Sequence, residues 1–508
     1  MPLIVLLWTD VALYLIVAAV LAYAWHVRRT STLRATWLRV AQDAPAMCAA
    51  VVLAVFAVIG LLDSVHYRPR LPPLPGAPAH APVAYAPSAR SLLDAMLADT
   101  VLTRPEKTYS APLAVRQFTK ETMLVDGHPT RDFPRLRAGG AHLADPDAQR
   151  WPDAAWRAAA GLGGGLLAAL AAAAALGMAL ARRRASWRAA MRDLLRGDTD
   201  IRWRPMFITL CGLCAAAGIL AGLATGYHPL GTDRTGNDVL WQAIKSVRTA
   251  LVIGSLTTLA MLPPALGFGI AAGYFKGKVD DAITYLYTTL TSIPGVLLVA
   301  ACVLMMQVYI DNNAARFPTS AERADLRLFL LCLILGLTGW AGLCRLVRAE
   351  VLKLRELEYV QAARAFGVSK WGIMRRHLVP NVMHIVLITV VLEFSSLVLY
   401  EAVLSYLGIG VDPSMNSYGS MINAARLEMS MDPMIWWNLG AAFVFMLALV
   451  LSANLFADGV RAAFDPRARK FRARRLPVLA PPPTGGLFAI SPLGAEAREV
   501  TRQRGERQ

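Results

Sequence analysis

Three carboxylates set in long apolar runs and one closely spaced cysteine pair are the groups here whose chemistry needs explaining. Lipid cannot solvate a carboxylate, so Asp10, Glu393 and Glu401 must face a protein interior or a wet cavity. Glu393 is the deepest and the better candidate for a translocation path. A hydrogen-bonded structural role is its alternative, whereas Glu401 lies near the outer end of its run, where it can reach the interface. Cys211-Gly-Leu-Cys214 has the spacing of a dithiol redox pair. No His, Asp or Lys stands beside it to lower a thiol pKa, so it reads as small apolar packing. Cys48, Cys302, Cys332 and Cys344 also fall in apolar runs, and no disulfide framework is expected. "GYFKGKVDD" suggests a phosphate loop, but Gly273 and Gly277 lack the GxxxxGK(S/T) spacing. HExxH, GxSxG and paired Cys/His ligand sets are absent from the sequence. The expectation is a chain that is not an enzyme, with no metal site and no bound cofactor.

These groups sit on an all-α polytopic membrane scaffold. Of 508 residues, 56% are apolar and 17% charged, where soluble domains carry about 25% charged. A helix needs about 20 mostly apolar residues to cross about 30 Å of hydrocarbon. Nine runs qualify: 2–25, 46–62, 156–181, 205–224, 249–274, 283–307, 326–344, 382–407 and 435–457. The first lacks a preceding basic stretch and is too long for a secretory signal core. The net charge of +17 comes from basic loops rather than from basic stretches interleaved with stacking aromatics, which argues against nucleic acid. Arg28, Arg29, Arg34 and Arg39, the arginines of 182–204, the loop 345–380 and the tail after Arg461 all share one side if nine crossings are made. That side is expected to be the cytoplasm, with the N-terminus and residues 63–155 outside.

The expected organisation follows. Residues 1–62 hold two helices, 63–155 an extracytoplasmic segment, 156–204 a third helix and a basic loop, 205–470 a six-helix core, and 471–508 a solvated tail. Within the outer segment, "RPRLPPLPGAPAHAPVAYAP" reads as extended chain. "SARSLLDAMLADTVL" has helical spacing, with Leu92, Leu93, Met96 and Leu97 on one side. Residues 108–136 read as short strands or turns. "YHPLGTDRTGNDVLWQAIKSVRTALVIG" begins as a turn and predicts an amphipathic helix on the outer membrane surface, with Val239, Leu240, Ile244 and Val247 opposite Lys245 and Arg248. Pro263, Pro264 and Pro294 predict bends within crossings.

Between the seventh and eighth runs lies "EYVQAARAFGVSKWGIMRRHLVPN". Val360, Ala363, Phe366, Ile373 and Leu378 are expected to hold it against the bundle, with its basic residues facing solvent. Ala362, Ala363 and Gly367 are small enough for another surface to approach, Gly367 permits a left-handed turn, and Pro380 is expected to end the second helix.

This stretch resembles the EAA loop of ABC-importer permeases. The matching positions are Gln361, Ala362, Ala363, Gly367, Ile373, His377, Pro380 and Asn381; Gln361 replaces the usual Glu. "HPLGTDRTGNDVL", "AGYFKGKVDD", "YEAVLSYLGIG", Tyr418-Gly419 and "ADGVRAAFDPR" resemble further motifs of the dipeptide, oligopeptide and nickel branch, in family order, with Asn237 where Arg is usual. The resemblance covers 205–470 and implies the second permease subunit of an importer for peptides or related small solutes in the bacterial inner membrane. It further implies an ATPase-coupling loop at about 350–381, a partner permease, two ATPase subunits that use the ATP, and an extracytoplasmic solute-binding protein. Residues 1–200 lie outside the match and read as accessory. Two rival readings are a proton- or sodium-driven secondary transporter, with Asp10, Glu393 and Glu401 as carriers, and a sensor with 63–155 as its ligand module.

Overall fold

Long apolar runs satisfy their backbone groups internally by coiling into helices, and such helices dominate the computed structural model. It describes residues 3–71, 85–86, 89–125, 128–181, 201–313, 317 and 319–464. The extended Pro/Ala run, most of the basic loop 182–204 and the tail 471–508 fall wholly or largely outside those residues. Residues 1–465 form one compact unit.

The helices in order are α1 (Trp8–Arg29), α2 (Ser31–Val40), α3 (Ala44–Asp63), α4 (Leu92–Met96), α5 (Pro146–Ala181), α6 (Trp203–Ala224), α7 (Val239–Phe275) and α8 (Gly277–Ser292). They continue with α9 (Gly295–Asn312), α10 (Ser320–Gly339), α11 (Ala341–Leu354), α12 (Glu358–Ala365), α13 (Lys370–Ile373), α14 (Val379–Tyr406), α15 (Tyr418–Glu428) and α16 (Trp437–Phe464). Among the described residues, eight helical stretches are long and apolar enough to cross a membrane, and α10 with α11, bent by 41°, makes a ninth. Each of the nine runs read from sequence has a counterpart. The run 283–307 is divided at Pro294, which lacks an N–H to continue α8 and instead caps α9. Pro263 and Pro264, by contrast, sit inside α7 without ending it.

A small antiparallel sheet joins β1 (Leu3–Val5), β2 (His66–Arg68) and β3 (Arg90–Ser91), in that order, with Leu3 opposite Arg68 and His66 opposite Ser91. It returns the start of α1 and the end of α3 to the same face. A hairpin of β4 (Glu121–Val125) and β5 (His128–Asp132) follows within the stretch read as strands or turns. The helix expected over 88–102 shrinks to the five residues of α4, started by a Ser91–Asp94 capping box. Only Leu93 of its apolar side is buried, while Leu92 and Met96 are exposed, so no continuous face drives a longer helix.

The expected surface helix before the fifth crossing is not separate. Asp238 accepts from the Trp241 N–H and starts α7, which runs unbroken for 37 residues. Lys245 and Arg248 do not face water, because α1, α3 and α4 cover that side. Arg248 is 5% exposed; its guanidinium donates to Asp10 at 2.6 and 3.2 Å and to Thr9 at 2.8 Å, and lies 3.5 Å from Asp325 of α10. Asp325 also accepts from the N–H and hydroxyl of Thr9. His66 Nδ1 stands 2.8 Å from Asp10. One turn away, Lys245 holds Asp94 at 2.8 Å and Asp63 at 3.4 Å.

The segment between α3 and α5 also grips the turn before α7. Glu106 N–H donates to Gly236, Thr232 N–H to Ser110, and Leu113 N–H to His228. Gly231 and Gly236 have φ of +75° and +79°, and a Cβ on either would strike the Ser110 or Glu106 carbonyl at 2.4 or 2.0 Å. His228 is enclosed with Nδ1 2.7 Å from Asp238 and Nε2 3.5 Å from Glu106. Glu106 accepts from the N–H groups of Arg137, Ala138 and Gly139. Burial opposes both charges. It is outweighed at His228 by the bond to Asp238 and the Glu106 carboxylate 3.5 Å away, which raise the imidazolium from 6.5 to about 9, and at Glu106 by the facing His228 ring and three N–H groups, which lower it to about 2.

The tightest helix pair is α5 with α6. An added Cβ at Gly161 would lie 2.2 Å from the Gly218 carbonyl, and one at Gly165 2.2 Å from the Cys214 carbonyl. Small residues thus bring two antiparallel backbones together. Cys211 and Cys214 are free and half-buried.

Two outcomes are expected. Asp10→Ala leaves the buried Arg248 guanidinium with Asp325 and Thr9 as its remaining partners and should cost up to about 3–5 kcal/mol, read as a lower melting temperature in detergent. A raised His228 pKa contributes stability that is full below 6.5 and is lost as pH rises through about 9. Glu106 contributes above 4.5 and loses its share as pH falls through about 2. The melting temperature should therefore fall between pH 6.5 and 9, and His228→Gln should flatten that slope.

Candidate functional site

At the end of α7 the chain turns through Lys276 and Gly277, both at positive φ (57° and 55°). A lysine there is strained, since this backbone region favours glycine. It is held by an ion pair from Lys276 Nζ to Glu356 at 3.1 Å. Asp280, in the first turn of α8, accepts a two-pronged bond from Arg348 of α11 at 2.5 and 2.7 Å. That bond lowers the Asp280 pKa, as a carboxylate facing a guanidinium fork requires. Arg355 donates to the Tyr274 carbonyl at 2.7 Å. The motifs at 272–281 and 358–381, some eighty residues apart, are therefore one surface. Between them runs a groove of about 820 Å³, lined among others by Phe275, Glu356, Gln361, Arg364, Gly367 and Lys370.

The loop is built by its own local chemistry. Val360, Ile373, Met374 and Leu378 are buried in the cluster that holds Val347, Val351, Val382 and Val386. α12 closes with Val368 N–H to Ala363 and Gly367 N–H to Arg364, with Gly367 at φ +77°. Those two bonds are the Schellman ending that glycine makes without steric cost. Ser369 then caps α13, accepting from Gly372.

Two expectations need correction. Phe366 does not hold the loop against the bundle: it is 87% exposed, because the chain turns left-handed at the next residue and swings its side chain away. Trp371 is likewise exposed. Pro380 does not end a helix: Lys370–Tyr406 is one continuous stretch. The turn Met374–Leu378 is a π-helix, and it contains the Arg376 carbonyl that the Pro380 ring would otherwise strike. Among the remaining predicted residues, Gln361 donates to the Glu356 carbonyl at 3.0 Å, Ala362 is exposed, Ala363 is half-buried, and the half-buried His377 ring lies 6.0 Å from that of Tyr359. A Cβ on Gly367 would meet nothing within 4 Å. The loop thus presents small and aromatic groups outward from a fixed base.

The three carboxylates are not brought together. Asp10 belongs to the Arg248 cluster. Glu401 is 2% exposed, accepts from Ser405 at 2.6 Å and abuts Gly419 of α15. Glu393 is half-buried on α14 with no side-chain hydrogen bond among the described residues. Sequence reading missed Arg348, Arg355 and Glu356 as members of the surface. Asp280 lay inside a recognised motif, but nothing local reveals a partner 68 residues away.

Comparison with known proteins matches the part of the chain that carries this surface. Residues 265–470 match the family described as binding-protein-dependent transport system inner membrane component. The chain is 31% identical over 244 residues to an oligopeptide transport system permease protein of Haemophilus influenzae, covering 48% of this chain and 72% of the relative. It is 29% identical over 241 residues to a dipeptide transport system permease protein of Lactococcus lactis, covering 47% and 64%. With the oligopeptide transport system permease protein of Escherichia coli K12 it shares 30% identity over 242 residues, covering 48% and 73%. The motif-bearing half, the membrane-spanning helices and these relatives lead to one conclusion: the chain belongs to the family of inner-membrane components of binding-protein-dependent transport systems.

Proposed function

We propose that this chain is a membrane-spanning subunit of an ATP-driven importer for peptides or related small solutes, and that its ATP is hydrolysed on separate partner chains. The observation that carries the reading is the surface around Gly367: two motif segments tied by Arg348–Asp280 and Lys276–Glu356, ending in an exposed glycine turn between Phe366 and Trp371. Its partners are a second permease subunit, two ATPase subunits and an extracytoplasmic solute-binding protein. The Gly367 face lies in the cytoplasm, and the sheet and the His228 turn lie outside, in keeping with the arginine distribution. Gln361, Ala362, Ala363, Gly367, Ile373, His377 and Pro380 form or shape the coupling loop. Glu393 is the carboxylate available to a translocation path, whereas Glu401 is occupied by Ser405. Closure of the ATPases pushes this surface, and the helices rooted in it rock between inward-open and outward-open states. The peptide-permease relatives favour this reading over an ion-driven secondary transporter.

Substitution at Gly367 tests it. No atom lies within 4 Å of a Cβ there, so beyond the backbone cost of the positive φ, which Gly367→Ala measures, bulk would act on a docked partner. Asn tolerates the left-handed backbone, so Gly367→Asn should retain most coupling. Gly367→Trp should insert into membranes and bind the solute-binding protein but lose substrate-stimulated ATP hydrolysis and uptake in proteoliposomes. Overpacking costs of about 1–3 kcal/mol weaken docking by roughly five- to 150-fold. Arg375→Ala should do less, since an exposed rim charge is worth about 0–1 kcal/mol. Normal coupled transport by Gly367→Trp would reduce the loop to a connector.

Asp280→Asn tests the tie between the two segments. It should raise amide exchange in both 276–278 and 356–370, and cost about 1 kcal/mol or less in stability because the pair is partly exposed. Exchange confined to one segment would show that the two are independent.

A further inference from the structure

The elbow between α1 and α2 has no part in the surface above. α1 ends at Arg29, Thr30 adopts an extended conformation, and α2 leaves in a new direction. A cleft of about 520 Å³ opens there, lined by Val27, Arg28, Arg34, Trp37 and Leu38. Its wall is fixed. The Trp37 indole N–H donates to the Tyr23 hydroxyl at 3.2 Å, and the ring packs on Phe456 and Phe464 of α16. Val40, at the far end of α2, is buried against Ala46, Val460 and Ala463. Arg28 and Arg34 are exposed, and neither has a carboxylate partner among the described residues. Arg29, beside them, stacks on Trp25 at 3.6 Å. Leading away from the cleft, α1 exposes Leu15, Val20, Leu21 and Trp25.

We propose that this elbow is a binding site for an anionic phospholipid, whose phosphodiester bridges Arg28 and Arg34 and whose acyl chains lie along α1. Two guanidinium groups without acidic partners complement a phosphate, and Arg meets its oxygens through paired N–H donors. Val27, Leu38 and the Trp37 ring complement the glycerol and upper acyl carbons, where indoles favour the membrane interface. A free phosphate satisfies the arginines but leaves that apolar half of the cleft bare. A zwitterionic lipid brings an ammonium group to two guanidiniums. Basic pockets between membrane helices recognise anionic head groups by this combination. The inference is independent of the transported solute and of the role of Gly367.

The test uses the full chain, delipidated and titrated with short-chain phosphatidylglycerol, with native mass spectrometry counting bound lipid. One phosphatidylglycerol should survive at concentrations where phosphatidylcholine is lost. Arg28→Gln with Arg34→Gln should weaken that binding by about thirtyfold, the worth of two basic residues near an anionic head group. Arg39→Gln, on the same helix outside the cleft, should leave it unchanged. Inorganic phosphate should not compete. Equal retention of phosphatidylcholine, an equal loss in Arg39→Gln, no loss in the double variant, or displacement by inorganic phosphate would each overturn the proposal.

Discussion

The guanidinium of Arg248 is the charge around which the N-terminal half of α7 and its neighbours are arranged. It lies in a helix that must be buried, so its charge has to be neutralised inside the protein. Asp325 supplies one carboxylate from α10, and Asp10 supplies the other from α1, with Thr9 bonded to both Arg248 and Asp325. A helix outside the family match thereby completes the electrostatics of two helices, one of which, α10, lies inside it. Lys245 repeats the device one turn earlier with Asp63 and Asp94. The N-terminal part outside the match is therefore tied to α7 and α10, which the motif pattern alone gives no reason to expect.

The two faces of the molecule share a single rod. α7 begins at the capped turn held by Glu106, His228 and Asp238 and ends at the strained corner beside the Gly367 groove. At 1.5 Å per residue its 37 residues span about 55 Å. Its midsection packs against α10 and α11 and against Phe394 of α14. α7 continues through Pro263 and Pro264, which lack the N–H of a helical bond, whereas α10 bends by 41° into α11 beside Trp340 and α8 gives way to α9 at Pro294.

What could be read beforehand follows the range of the forces involved. Apolar runs of about twenty residues reveal crossings because the requirement is local. The loop motif was legible for the same reason: Gly367 and the small residues before it act within one turn of chain. Phe366 misled because its outward swing depends on the next residue's left-handed backbone. Lys245 and Arg248 looked like the wet side of a surface helix because polarity alone cannot tell water from a carboxylate contributed by a distant part of the chain. The pairing of Asp280 with Arg348 was hidden for the same reason.

The glycine seam between α5 and α6 bears on modularity. The six-helix core read from sequence starts with α6, yet the closest backbone partner of α6 is α5, on the other side of that boundary. A helix whose carbonyls meet bare α-carbons of its neighbour has no side chains in place to face lipid along that stripe. A division of the chain at residue 205 would cut along its tightest seam and leave a notched rod exposed. Keeping both halves of the seam together requires a division to fall before Pro146 or beyond Ala224.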